Sequence, residues 1–216
     1  MSIIQDRAKN NFPMVLLTLL SIVQALALEL LWAQLHLHAE LYELTYASIV
    51  GWTQVMATLI GIMLIWLNYA TNAMRFRWVP STSDLVFPFF VGVIQFIMID
   101  NLGLNALGIW MMCMALIFTA MTWINHHDMR RARSDPENDE YFSGMKAATL
   151  SDHAPAILGI TLFGSSGTAL YLTNHSGWFA LVAVVFSLVM VCYQLYLTNK
   201  FWKRTMSLTS DVHEDS

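Results

Sequence analysis

All eleven lysines and arginines of this chain fall in alternate connections between six long apolar runs, and that sorting constrains the fold more than any motif does. The runs cover residues 12–34, 46–69, 85–104, 106–124, 155–172 and 178–197. Each comes close to the ~20 apolar residues that an α-helix needs to cross hydrocarbon. Arg7 and Lys9 precede the first run, and Arg75 and Arg77 follow the second. Arg130, Arg131, Arg133 and Lys146 follow the fourth, and Lys200, Lys203 and Arg204 follow the sixth. The connections 35–45, 100–105 and 173–177 contain no basic side chain. Basic loops are retained in the cytoplasm. The expected fold is therefore all-α and polytopic, with six transmembrane helices and both termini inside a cell (inner or plasma) membrane.

Composition excludes the main alternative. The chain is 56% apolar and 12% charged, about half the charge of an ordinary soluble domain. Too few polar groups remain to cover a water-facing surface, so the lipid bilayer is its first partner and no nucleic acid is expected. Cys113 and Cys192 lie within apolar runs without metal-ligand spacing and read as packing residues. The first run continues through Trp32 and Ala33, past the Ala25-Leu26-Ala27 triplet, which favours a retained span over a cleaved leader. The rest is a cytoplasmic loop at 126–154 and an acidic tail at 205–216 that reads as disordered. A single membrane domain follows.

Internal similarity suggests three two-helix hairpins. The even runs open on Gly51-Trp52, Gly108-Ile109-Trp110 and Gly177-Trp178. Tyr69 to Asn72 followed by Arg77 matches Tyr196 to Asn199 followed by Arg204. Ser83-Asp84 before Pro88 and Ser151-Asp152 before Pro155 both read as helix starts. Gln24 with Glu29 has the separation of Gln95 with Asp100. Such repeats would be parallel, about an axis along the membrane normal, although interfacial Trp and capping Ser recur in many membrane proteins.

Helix-packing faces are visible as well. Ala47, Gly51, Gln54, Thr58, Gly61, Ile65, Asn68 and Asn72 share one face of the second span. The sixth carries Gly177, Ala180, Val184, Ser187, Val191, Gln194 and Thr198 in the same way. Gly164 and Gly167 suit a close helix crossing in the fifth. These stripes read as bundle seams in preference to a pore lining.

The candidates for chemistry sit on the outer side. Glu29 is an acid deep in the first span with no basic residue near its level, and intramembrane acids mark ion pathways or helix contacts. If that helix ran past the membrane, Glu29, His36, Glu40 and Glu43 would share a face, with Asp100, His38 and His175 at the same end. Glu29, Asp100, Gln24, Gln95 and Gln54 are the proton or cation candidates, and His36, His38, Glu40 and Glu43 form a candidate metal group. Ordinary interfacial roles, or a hydrogen bond from Glu29 to Gln54 or Gln95, would account for the same residues. His126-His127-Asp128 and Ser151-Asp152-His153 have no triad geometry by spacing alone. No phosphate loop, zinc-protease signature or haem-attachment pair occurs, so no cofactor is expected and the sequence leans away from an enzyme without deciding the point. The leading expectation is a small transporter or channel-like protein for cations or protons. A non-catalytic membrane subunit, in a homo-oligomer or with a membrane partner, comes next; an enzyme on lipid or quinone, with His153 or Asp152 on a cavity wall, comes third.

Overall fold

The computed structural model describes residues 2–143, 149, 153–173 and 177–211, with side chains as far as residue 203. The chain is helical: α1 (Ile3–Leu37), α2 (Tyr46–Arg75), α3 (Thr82–Asp100), α4 (Leu107–Arg133), the short α5 (Asp139–Phe142), α6 (Ala154–Thr173) and α7 (Trp178–Asp211). All but α5 give a stretch long and apolar enough to cross a membrane, six in total. The protein is built as a multi-pass membrane protein.

Local chemistry explains where the helices begin. Ser2 and Gln5 form a capping box at α1, and Thr45 and Ser48 form another at α2. Each satisfies amides that a helix start leaves free. For α3 the cap is Ser81, two residues earlier than the Ser83 expected, and the Asp84 carboxylate accepts the Ser81 amide at 2.8 Å. The boundary between α3 and α4 is a tight turn at Gly103, whose φ of 104° favours glycine. Its amide donates to the Gln54 side chain at 3.0 Å.

The helices form a ring in the order α1, α3, α4, α6, α7, α2, with α6 and α7 only lightly in contact. α1, α3 and α6 run one way and α2, α4 and α7 the other. The three hairpins meet through α1–α3, α4–α6 and α2–α7. A threefold axis along the normal would make those contacts alike, so the packing does not express the repeat suggested by the sequence.

The closest crossing joins α4 to α6. A methyl group on Gly108 would lie 2.7 Å from the Tyr171 nitrogen, and one on Gly167 would lie 2.9 Å from the Gly108 oxygen. The two glycines thus let backbone meet backbone, as small residues do between membrane helices. Gly51 similarly makes room for the Leu41 side chain. Gly164 is looser, its nearest neighbour being the Ala115 methyl at 3.9 Å.

One end of the ring holds the basic residues, and several are paired to protein rather than free for lipid. Lys9, only 2% exposed, lies 2.7 Å from Asp135 and 2.6 Å from Glu137. Arg131 binds Asp84 at 2.6 Å and donates to the Val79 carbonyl. Arg133 lies over the Phe142 ring and Arg75 over Phe201. Asp135 caps the turn at Pro136–Asn138, its side chain accepting the Glu137 amide.

Candidate functional site

The polar stripe of α2 behaves differently in its two halves. Near the Gly103 turn it is a packed seam. Gln54 and Thr58 are fully buried, Gln54 accepting the Gly103 amide and Thr58 accepting the Trp110 indole N–H at 3.1 Å. Across from them Ser187 of α7 is buried, donating to the Ala183 carbonyl at 2.9 Å.

Towards the basic end the same stripe separates from its neighbours. A methyl group on Gly61 would meet nothing within 4 Å, so this glycine borders open space rather than a helix contact. A cavity of about 170 Å³ opens there between α2, α3, α4, α6 and α7. Its apolar wall comes from side chains such as Ile65, Met98, Ile117 and Phe118. Its polar groups are amides and hydroxyls: Asn68, Gln95, Thr122, Asn125, Gln194 and Thr198. Asn72 donates to both Asn68 (3.3 Å) and Asn125 (3.1 Å), holding two of those amides in place.

His153 completes the wall at the start of α6. Its ring meets that of His126 edge to face with centroids 5.4 Å apart, and its Nε2 is buried without a hydrogen-bond partner among the described residues. Among the described residues, no lysine, arginine or carboxylate lines the cavity. The arrangement suits a compact molecule with an apolar body and one or two hydrogen-bonding groups.

The residues singled out from the sequence are placed elsewhere. Glu29 faces out of the ring, exposed, with no hydrogen bond or ion pair among the described residues. Gln24 and Gln95 bond each other reciprocally at 3.1 Å, so neither Gln95 nor Gln54 serves Glu29. Asp100 accepts from Gln34 at 2.8 Å. The face joining Glu29, His36, Glu40 and Glu43 does not form, because α1 stops at Leu37 and Ala39–Tyr42 is a separate 3₁₀ turn. Of the candidate metal group His36, His38, Glu40 and Glu43, only His38 and Glu40 approach, at 3.5 Å, while His36 bonds the Trp32 carbonyl and Glu43 is exposed. Lys146, Ser151, Asp152 and His175 lie outside the described residues.

Two features escaped the sequence reading. The cavity depends on how far α6 and α7 stand apart, which periodicity does not encode. The second is a cluster of Asp84, His127 and Asp128 at the basic end. Its one signal was that an acid at the start of α3 must lie level with a His-Asp pair at the end of the antiparallel α4. Comparison with family models, with curated proteins and with solved structures finds no match for this chain.

Proposed function

We propose that this chain is a small membrane transport protein, and that its cargo is a compact uncharged molecule held in the cavity between α2, α4 and α7. The cavity carries the reading: amides, hydroxyls and one imidazole on an otherwise apolar wall, beside helices α6 and α7 that touch only lightly. Alternating access needs two bodies able to part, and a weak contact next to a binding cavity is where parting costs least. The cation or proton version of the same role has less support. It needs a charged group on the path, and Glu29 faces outward while Asp100 is held by Gln34. The sorted basic residues support a cytoplasmic basic end, with the cavity towards the cytoplasm.

The test is osmotic swelling of proteoliposomes in small uncharged solutes such as glycerol and urea. Swelling should exceed that of protein-free vesicles and be lost in Gly61→Phe, which fills the cavity without touching a helix contact. Vesicles as tight as protein-free ones in every solute would sink the reading.

A second reading, a membrane subunit that binds a partner, is favoured by one observation. Glu29 is an acid on the outward face of α1, where a protein neighbour would be a better environment than lipid. A pure subunit would leave the vesicles tight.

A further inference from the structure

The basic end holds a second group of side chains that the cavity does not use. Asp84 on α3 and His127 and Asp128 on α4 bring one ligand atom each to within 4.8 Å of one another. Asp84 is already engaged: it binds Arg131 at 2.6 Å, the Ser81 amide at 2.8 Å and the Trp78 indole at 3.3 Å. Asp128, only 7% exposed, has no hydrogen bond among the described residues. The hydroxyl of Tyr69 on α2, a residue 5% exposed, is also buried without a partner among the described residues. Tyr69, Asp84 and Asp128 border one void of about 10 Å³, otherwise walled by side chains such as Phe12, Leu16 and Phe87.

A void of that size holds one ion or one water. The charges around it do not balance. Arg131 contacts Asp84 directly and acts on Asp128 only at longer range, so one guanidinium faces two carboxylates, and Asp128 has no hydrogen-bond donor among the described residues, which is a costly state. A water would supply a hydrogen bond and leave the charge unanswered. A cation would supply both charge and ligation, and would also engage the orphaned phenol oxygen.

We propose that Asp84, His127 and Asp128, with the Tyr69 hydroxyl, bind a single divalent transition-metal ion. Carboxylate and imidazole donors together suit Zn²⁺ or Mn²⁺ better than an all-oxygen ion such as Mg²⁺. The nearby Arg131 guanidinium repels the ion and lowers its affinity, so retention depends on Asp128 and His127 more than on Asp84. The site joins α3 to α4 and, through Tyr69, to α2, so an ion there cross-links three helices at the basic end. The inference does not depend on what the cavity carries.

The full chain, purified in detergent and stripped with a chelator, is incubated with Zn²⁺ or Mn²⁺, desalted, and assayed for metal content and thermal midpoint. One of the two metals should be retained at about one ion per chain and should raise the midpoint, as ligation tied to the folded state does. Asp128→Asn and His127→Gln should each weaken retention by at least about tenfold. Asp128→Asn breaks no hydrogen bond among the described residues and removes the unanswered charge, so its metal-free midpoint should be no lower than the wild type's, which separates lost ligation from lost folding. His38→Gln, at the opposite end, should bind normally. Retention near zero for both metals in the wild type, undiminished retention in Asp128→Asn, or loss in His38→Gln would each overturn the site.

Discussion

A buried amide that loses its partner costs more than the hydrogen bond it made, and Gln24 and Gln95 make that asymmetry measurable. Each donates to the other at 3.1 Å, both are buried, and lipid offers no substitute donor. Gln24→Leu should therefore destabilise the protein by about 1–2 kcal/mol, because Gln95 is stranded. The double change Gln24→Leu with Gln95→Leu should recover part of that loss. Unfolding in mixed detergent–SDS micelles reads both, and strictly additive losses would mean the pair does not act as a unit. In the sequence both glutamines read as proton or cation candidates, and Gln95 also as a hydrogen-bond partner for Glu29; in the fold they bond each other. Spacing along one helix shows which residues share a level, and not which way that level turns in the ring. Lys9 teaches the same lesson. It read as a marker of sidedness, and its burial against Asp135, 126 residues away, follows only from the fold.

Single helices were the easiest objects to read, because the length of an apolar run reflects a bilayer of known thickness. The runs 12–34, 46–69, 155–172 and 178–197 lie within observed helices, while 85–104 overruns the end of α3 into the Gly103 turn and 106–124 starts one residue ahead of α4. The pairing of helices was harder, since glycines mark close crossings without saying which helices cross. Gly61 and Gly167 looked equivalent in the sequence and are opposites in the fold. At Gly167 an added methyl would sit 2.9 Å from the Gly108 oxygen and 2.9 Å from the Met112 nitrogen, both rigid backbone atoms. Gly167→Val should cost about 1–3 kcal/mol through forced separation of α4 and α6. Gly61→Ala adds a methyl to open space and should be neutral, or slightly stabilising through helix propensity. Thermal midpoints of the two variants in detergent check the contrast. Equal losses would contradict the α4–α6 crossing.

The assembled ring presents chemically distinct ends, and its direction in the membrane decides which compartment the cavity and the Asp84 cluster face. Pairing weakens part of the sidedness signal, since Lys9 is neutralised by Asp135 and Glu137, and Arg131 by Asp84. The rest keeps its bias. Arg7, Arg130, Lys200 and Lys203 share the basic end, while Glu40, Glu43 and Asp100 lie at the other. Retention of basic segments in the cytoplasm therefore still favours the basic end inside. Cysteines introduced one at a time into a Cys192→Ser background turn this into a direct measurement, because the remaining Cys113 is buried. With a membrane-impermeant maleimide, Glu43→Cys should label in intact cells, and Arg130→Cys only after permeabilisation. Asn68→Cys, on the cavity wall, should follow Arg130→Cys if the cavity is wetted from the basic end. Labelling in the reverse order would invert the molecule. Asn68→Cys labelling together with Glu43→Cys would mean that water reaches the cavity past Thr58 and Trp110, and that the seam built on their hydrogen bond opens.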